Sequence, residues 1–461
     1  MNYIGLTIYI FSIFLLGFAI LSFCEERNNF KGGFWKIIAF SFVMGVGATG
    51  VLFFFQALFL ELSKQFWIYI NLILALLLIF SGKGFLILKE FWKNTFKNFC
   101  RPVLKKTNIF SYLVAIFALL ISFTIVFTNL FFTPLWDIDS FALWGFKSKV
   151  IYLSGLNKDS YFYLVEYGFS HLDYPLLVPF VNAGIYISAG NLSQSLGKIL
   201  YFPLLISFFV ILYCSARRKL NSLFAFMLSV MLFSTAPIIQ WGSAGTADIY
   251  IAIFLLLSIY YSLNFIESFS IPYLIGFSFV NLFLAFTKNE GLAIALINFI
   301  VLFIFTSIMG KNVGLFHIII AGIAVFLFIL PWLIWSMDIP KIHENYPSQI
   351  KNIFLLDRWK RIPEIVSVFF AHISNLSRWG LFWLVCLIGM VFPRKNLDYL
   401  LSIVLFFILF LLYFIVFMIS PWSIEYLNAA VLERLLIHLS IPAFFITLDF
   451  LSIIVKMDVS D

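Results

Sequence analysis

Residues 3–23, YIGLTIYIFSIFLLGFAILSF, decide what class of protein this is. The run carries no charged side chain, and a helix of about 20 apolar residues is what a crossing of the bilayer hydrocarbon requires. No basic flank precedes it and no small-residue cleavage site follows, so it reads as a spanning helix and not as a removed signal. Comparable runs recur near 37–60, 66–88, 110–131, 198–215, 222–238, 247–266, 272–287, 291–309, 315–336, 379–392, 399–419 and 435–455. If every one crosses, the fold is an all-α polytopic membrane bundle of about 13 helices.

Composition agrees. Of 461 residues, 63% are hydrophobic and only 11% charged, too few charges for a soluble domain of this length. The net charge of +8 does not point to nucleic acid, because the excess lies in short loops such as 83–106, KGFLILKEFWKNTFKNFCRPVLKK. Loops of that kind follow the positive-inside rule and face anionic headgroups. An external N-terminus places 24–36, 89–109, ARRKLN, GKNVG, PRKN and the C-terminal tail inside. Cys24, Cys100 and Cys214 are then internal and Cys386 lies within a helix, so no structural disulfide is implied.

Segment 175–192, PLLVPFVNAGIYISAGNL, cannot span without moving Arg217, Arg218 and Lys219 outside. It reads as a short helix at the external face, enclosed by protein. Two external excursions follow from this topology. Residues 132–197 hold juxtamembrane helices, and 337–378 are amphipathic and expected on the bilayer surface. With no repeat or linker, residues 1–461 read as a single membrane domain.

The external layer gathers the ionisable residues. Asp137 and Asp139 follow Trp136 in LWDIDSFALWGFKSKV (135–150), where Trp144 also lies. His171, Asp173 and Tyr174 stand in HLDYP, Asp248 in TADIY, Lys288 and Glu290 in TKNEG, and Arg434 and His438 in LERLLIHLS. Each has a plain structural reading: Asp as a helix cap, Lys288 snorkelling to the interface, Arg434 and His438 as an i, i+4 pair. Trp136 and Trp144 read as interface anchors or as platforms for a sugar ring. Ionisable groups at membrane depth are costly, however, and several at one level suggest a shared polar cavity. No HxxH, HExxH or paired CxxC spacing indicates a metal site. Asp137, Asp139 and Asp248 could supply oxygens to a divalent cation, a reading the sequence does not favour. No Walker A or GxGxxG element supports nucleotide use.

Together WDIDSFALWGFKSK, DYPLLVP, TADIYIAIFL, LAFTKNEGL and LERLLIHLSIP resemble the GT-C-fold membrane glycosyltransferases, which include protein mannosyltransferases and the lipid A aminoarabinose transferase. The resemblance covers about 130–445. It implies an inverting transfer of a sugar from a polyprenyl-phosphate donor to a hydroxyl of a glycan, lipid or protein. The transfer would occur at the outer face of a bacterial inner membrane. It assigns Asp137 or Asp139 as catalytic base, with Ile138 between them leaving the choice open. Arg434, Lys288 and His438 are then donor-phosphate ligands, and Asp248, His171, Asp173, Glu290, Trp136, Trp144 and Tyr174 contact substrate. A transporter or lipid flippase, and a surface-glycan polymerase or ligase, are the rival readings.

Overall fold

The computed structural model describes residues 2–25, 33–60, 63–81, 84, 109–156, 161–193, 195–340, 346–392, 394 and 396–457. The basic segment 83–106 apart from Gly84, with its Cys100, lies outside the described residues. Those described form helices and no strand. In chain order the main helices are α1 (Tyr3–Cys24), α2 (Phe34–Phe59), α3 (Lys64–Ser81), α4 (Ile109–Phe132), α5 (Phe146–Ser154) and α6 (Leu177–Ala189). Next come α7 (Tyr201–Ala216), α8 (Ser222–Phe233), α9 (Ala236–Ala244), α10 (Asp248–Ser268), α11 (Ile271–Thr287) and α12 (Asn289–Ile308). The last five are α13 (Asn312–Trp335), α14 (Ile362–Ile373), α15 (Phe382–Val391), α16 (Leu397–Ile419) and α17 (Glu433–Met457).

Ten of these, α1–α4, α7 with the turn before it, α10, α12, α13, α16 and α17, are long and apolar enough to cross a membrane. The expected thirteen spans are reduced in two ways. The 222–238 run breaks into α8 and α9, which meet at 62° and bring the number to eleven if counted as one span. Pro237 in the first turn of α9 has no N–H to continue a helix. The polar groups at the bend are satisfied locally: Ser122 of α4 donates to the Ser234 hydroxyl at 2.8 Å, and Thr235 donates to the Leu232 carbonyl at 2.9 Å. The 272–287 and 379–392 runs form α11 and α15, of 17 and 10 residues, shorter than a straight crossing.

α10 is apolar all round and sits at the centre, with 94% of its spanning window buried. α4, with 17% buried, lies at the periphery. The α1–α2 pair packs backbone to backbone. A Cβ on Gly17 would lie 1.7 Å from the Ser41 carbonyl oxygen, and one on Gly45 1.8 Å from that of Ile13. Small residues permit such an approach between membrane helices. α6 is a short helix, as its prolines and glycines suggest, and protein encloses it. The Tyr9 hydroxyl donates to the Val181 carbonyl at 2.7 Å, and Asn2 N–H donates to Ala189 O at 2.9 Å. The helix therefore runs outward, from a deeper start at Leu177 to the end of the bundle where α1 begins.

Charge separates to the two ends of the bundle. At one end Lys219 pairs with Asp449 at 2.6 Å and Asp398 at 2.8 Å, Arg394 with Asp449 at 3.2 Å, and Arg218 with Glu267. Lys311 lies over the Phe269 ring at 5.6 Å. Of the basic loops assigned to the inside, ARRKLN, GKNVG and PRKN thus share one end. α10, with 21 residues, carries the chain about 30 Å to the other end, which matches the hydrocarbon thickness.

Candidate functional site

At that other end the chain leaves α4 after Phe132, and a buried lysine secures the exit. Lys198 donates to the carbonyls of Asn129 and Thr133, both at 2.7 Å, occupying acceptors that a helix C-terminus leaves open. Asp137 then caps the next turn, its Oδ2 accepting from the Ser140 N–H at 3.2 Å. Residues Asp139–Gly145 wind as a π-helix before α5 begins. A second π-helical stretch, Asn428–Leu432, leads into α17. Both sit directly beside the partners of one ion pair, Asp139 and Arg434. π-Turns recur at functional sites because the extra residue per turn re-aims a side chain.

Gly245 joins α9 to α10 with φ +94°, a conformation that favours glycine, and a Cβ there would lie 3.0 Å from Leu135. This close turn brings Asp248 beside the aspartate loop. Asp248 is buried, with Lys288 at 3.3 Å, Arg434 at 3.6 Å and His438 Nε2 at 3.8 Å from its carboxylate. Lys288 also pairs with Glu290 at 2.9 Å. His438 Nδ1 and the Tyr413 hydroxyl share a hydrogen bond of 2.9 Å. Arg434 lies over Trp241, 5.3 Å from its centroid, and Trp241 donates to Glu433 at 2.8 Å. Glu433 is held by Arg378, which also donates to Gln240 at 2.8 Å. The half-exposed Trp136 rests on Trp241 with centroids 5.7 Å apart.

A second lobe adjoins this one through Tyr174, whose ring lies 5.8 Å from Lys288 Nζ and 5.5 Å from Lys147 Nζ. His171 stacks on Tyr174 at 4.8 Å, and Asn289 donates to Asp173 at 3.4 Å. The buried Lys147 donates to the His171 carbonyl.

The twelve residues singled out from the sequence are therefore one connected group. Their individual readings change in three places. Trp144 is buried against Tyr174, 6.1 Å between centroids, so it neither anchors at an interface nor offers a face to a sugar. Lys288 is buried and ion-paired instead of snorkelling. Arg434 and His438 both address Asp248 instead of one another. Lys198, Lys147, Trp241, Gln240, Arg378, Glu433 and Tyr413 were not recognised from sequence. Glu433 and Lys147 stood within the quoted motifs, whereas a lysine at the head of an apolar helix, such as Lys198, has no distinguishing pattern.

Electrostatics distinguish the two aspartates. Asp139 is held by Arg434, while Asp137 has no ion pair among the described residues. Burial, then the neighbouring Asp139, hold the Asp137 carboxyl above the ordinary carboxylate range, and Arg434 only partly opposes them. Burial pushes Lys147 down to about 7, with Asp173 opposing. Arg434 Nε and His438 Nε2 are buried without a hydrogen-bond partner. An open groove of about 590 Å³ runs between α4, the α8–α9 bend and residues 376–381, reaching Gln240 and Arg378 at the edge of the cluster. Among the described residues no group of three or more His, Cys, Asp or Glu is placed to hold a metal ion. No protein-family model, curated protein or solved structure matches the chain.

Proposed function

We propose that this protein is an inverting membrane glycosyltransferase that moves a sugar from a polyprenyl-phosphate donor to an acceptor hydroxyl at the outer face of a bacterial inner membrane. The observation that carries the reading is the ion pair of Asp139, in the first external loop, with Arg434, at the head of the last helix, while Asp137 stands beside it without an ion pair of its own among the described residues. A catalytic base must be close to the charged cluster and still free to take a proton.

The acceptor oxygen attacks the anomeric carbon as the bond from that carbon to the donor phosphate oxygen breaks, and Asp137 takes the hydroxyl proton. Negative charge develops on the departing polyprenyl phosphate. The unpartnered Arg434 Nε–H, the Lys288 ammonium and His438 Nε2 supply donors where that charge appears. Asp139, Asp248 and Glu290 hold these cations in place before substrate arrives. The exposed Trp136, braced by Trp241, offers a face to a sugar ring. The groove beside α4 has room for part of an isoprenoid chain.

Transport would be expected to concentrate polar groups near the middle of the bundle. There, Asn281 and Asn298 donate to Ser258 at 3.0 Å each and tie α10, α11 and α12 together, as interhelical hydrogen bonds do in structural roles. The test is release of polyprenyl phosphate from a panel of polyprenyl-phosphate sugars by the purified protein in lipid, with a cell-envelope extract as acceptor. Release by the wild type that Asp137→Ala abolishes supports the reading. No release from any donor by folded protein rejects it.

A further inference from the structure

The 337–378 excursion carries a feature separate from the charged cluster. Arg358 and Arg361 converge on one acceptor, the Ser420 carbonyl after the end of α16, at 2.6 and 3.0 Å. Arg361 donates also to Trp422 O at 3.2 Å. A guanidinium has five N–H donors, and neither arginine has a carboxylate partner among the described residues. Burial and the Arg358 charge press the Arg361 pKa down, and the Glu364 carboxylate only partly opposes them. Two like charges held together in this way call for an anion. Arg361 also precedes α14, whose first turn has no side-chain cap; its free N–H groups add positive potential, which Glu364 in the same turn partly offsets.

What surrounds the pair identifies the anion. Ile350, Phe354, Leu355, Leu356, Trp359, Val366 and Phe370 are exposed, Phe354 and Leu356 by more than 80%. α14 buries only Ile365 and Phe369 on its inner face. Between 346 and 373 four cations, Lys351, Arg358, Lys360 and Arg361, stand against Asp357 and Glu364, and Lys360 is engaged by Asp357 at 2.7 Å. A small soluble anion would satisfy the guanidiniums but leave the apolar side chains in water. An anionic lipid satisfies both.

We propose that Arg358 and Arg361, backed by Ser420 and the head of α14, form a binding site for the headgroup phosphate of an anionic phospholipid at the bilayer surface. The exposed apolar side chains insert beside its acyl chains. The site does not depend on the glycosyltransferase reading, and its function is to hold this excursion against the membrane.

The test is amide hydrogen exchange across 350–373 in the full chain, reconstituted in nanodiscs of phosphatidylcholine alone or mixed with phosphatidylglycerol. Phosphatidylglycerol is expected to slow exchange by about tenfold, from two charges at an anionic surface. Arg358→Gln with Arg361→Gln is expected to remove the difference, and Lys351→Gln with Lys360→Gln to leave most of it. Arg358→Lys with Arg361→Lys keeps the charge, guards against a folding defect, and should retain part of the protection. The proposal is overturned if phosphatidylglycerol has no effect on the wild type, or if the glutamine pair keeps the protection. Equal loss in the lysine-to-glutamine pair would mean a diffuse charge effect and no site. Equal protection by inorganic phosphate in phosphatidylcholine discs would mean a small-anion site and no lipid selectivity.

Discussion

Replacing each aspartate of the 135–150 segment by asparagine should separate stability from activity. In Asp139→Asn, Arg434 keeps Asp248 at 3.6 Å as its ion-pair partner among the described residues, with Asp137 acting on it from farther off. Exposed ion pairs contribute about 0.5 kcal/mol, and breaking a buried one costs about 3–5 kcal/mol. Arg434 is buried and the Asp139 side chain is 27% exposed, which places the loss between them, about 2 kcal/mol. Asp137→Asn loses no ion pair, and its amide oxygen can still accept from the Ser140 N–H. The Asp137 carboxyl titrates above its unfolded value, so the folded state holds more protons across that interval. Wild-type stability therefore falls as pH rises through it, and Asp137→Asn removes the fall. Transfer has the opposite trend, because a base must be ionised. It should rise with pH over the same interval and drop by about 10²–10⁴-fold in Asp137→Asn. Thermal unfolding in nanodiscs across the acid-to-neutral range, beside polyprenyl-phosphate release, measures both. An Asp137→Asn protein that transfers at the wild-type rate refutes the base assignment. One that unfolds at a lower temperature than Asp139→Asn refutes the structural role given to the Asp139–Arg434 pair.

Three other outcomes follow from the same geometry. Lys147 titrates near 7 in the fold against 10.5 for an ordinary lysine, so the unfolded chain binds more protons between these values. Stability should then rise with pH across that window, and Lys147→Met should flatten the rise in a pH series of unfolding temperatures. Lys198→Met leaves the end of α4 without its charged donor and should cost about 2 kcal/mol, the scale of a hydrogen bond to a charged group. Transfer should fall with it, and Lys198→Arg should recover part of both. Gly45→Leu cannot fit against the Ile13 carbonyl and should abolish a monodisperse folded peak in size-exclusion chromatography. Gly322→Ala, whose Cβ would meet nothing nearer than 3.7 Å, should keep the peak and gain up to about 1 kcal/mol of stability.

Much of the ionic layer at this end of the bundle was legible because charges in this chain are rare and fall at the ends of apolar runs. Asp248, Lys288 and Arg434 had to emerge at a common level if their helices crossed the same slab. The depth of burial was not legible. Trp144 and Lys288 have the side chains of interfacial residues, and only the neighbouring α5 and loop 161–174 decide that they are enclosed. The broken 222–238 run was missed because its mean hydropathy is that of one span, although Ser234, Thr235 and Pro237 mark the place.

By itself the sequence determined that this is a polytopic helical membrane protein with most of its charged groups near the helix ends. That follows from hydrophobicity and length alone, which the bilayer reads one segment at a time. Only the tertiary structure decided the partners. Asp139 meets Arg434 across 295 positions of chain, Lys198 reaches back to the end of α4, and Asp137 is left without an ion pair among the described residues. Pairing of this kind depends on which helix ends become neighbours and on how two π-turns aim their side chains, and hydrophobic periodicity within one segment carries no information about either.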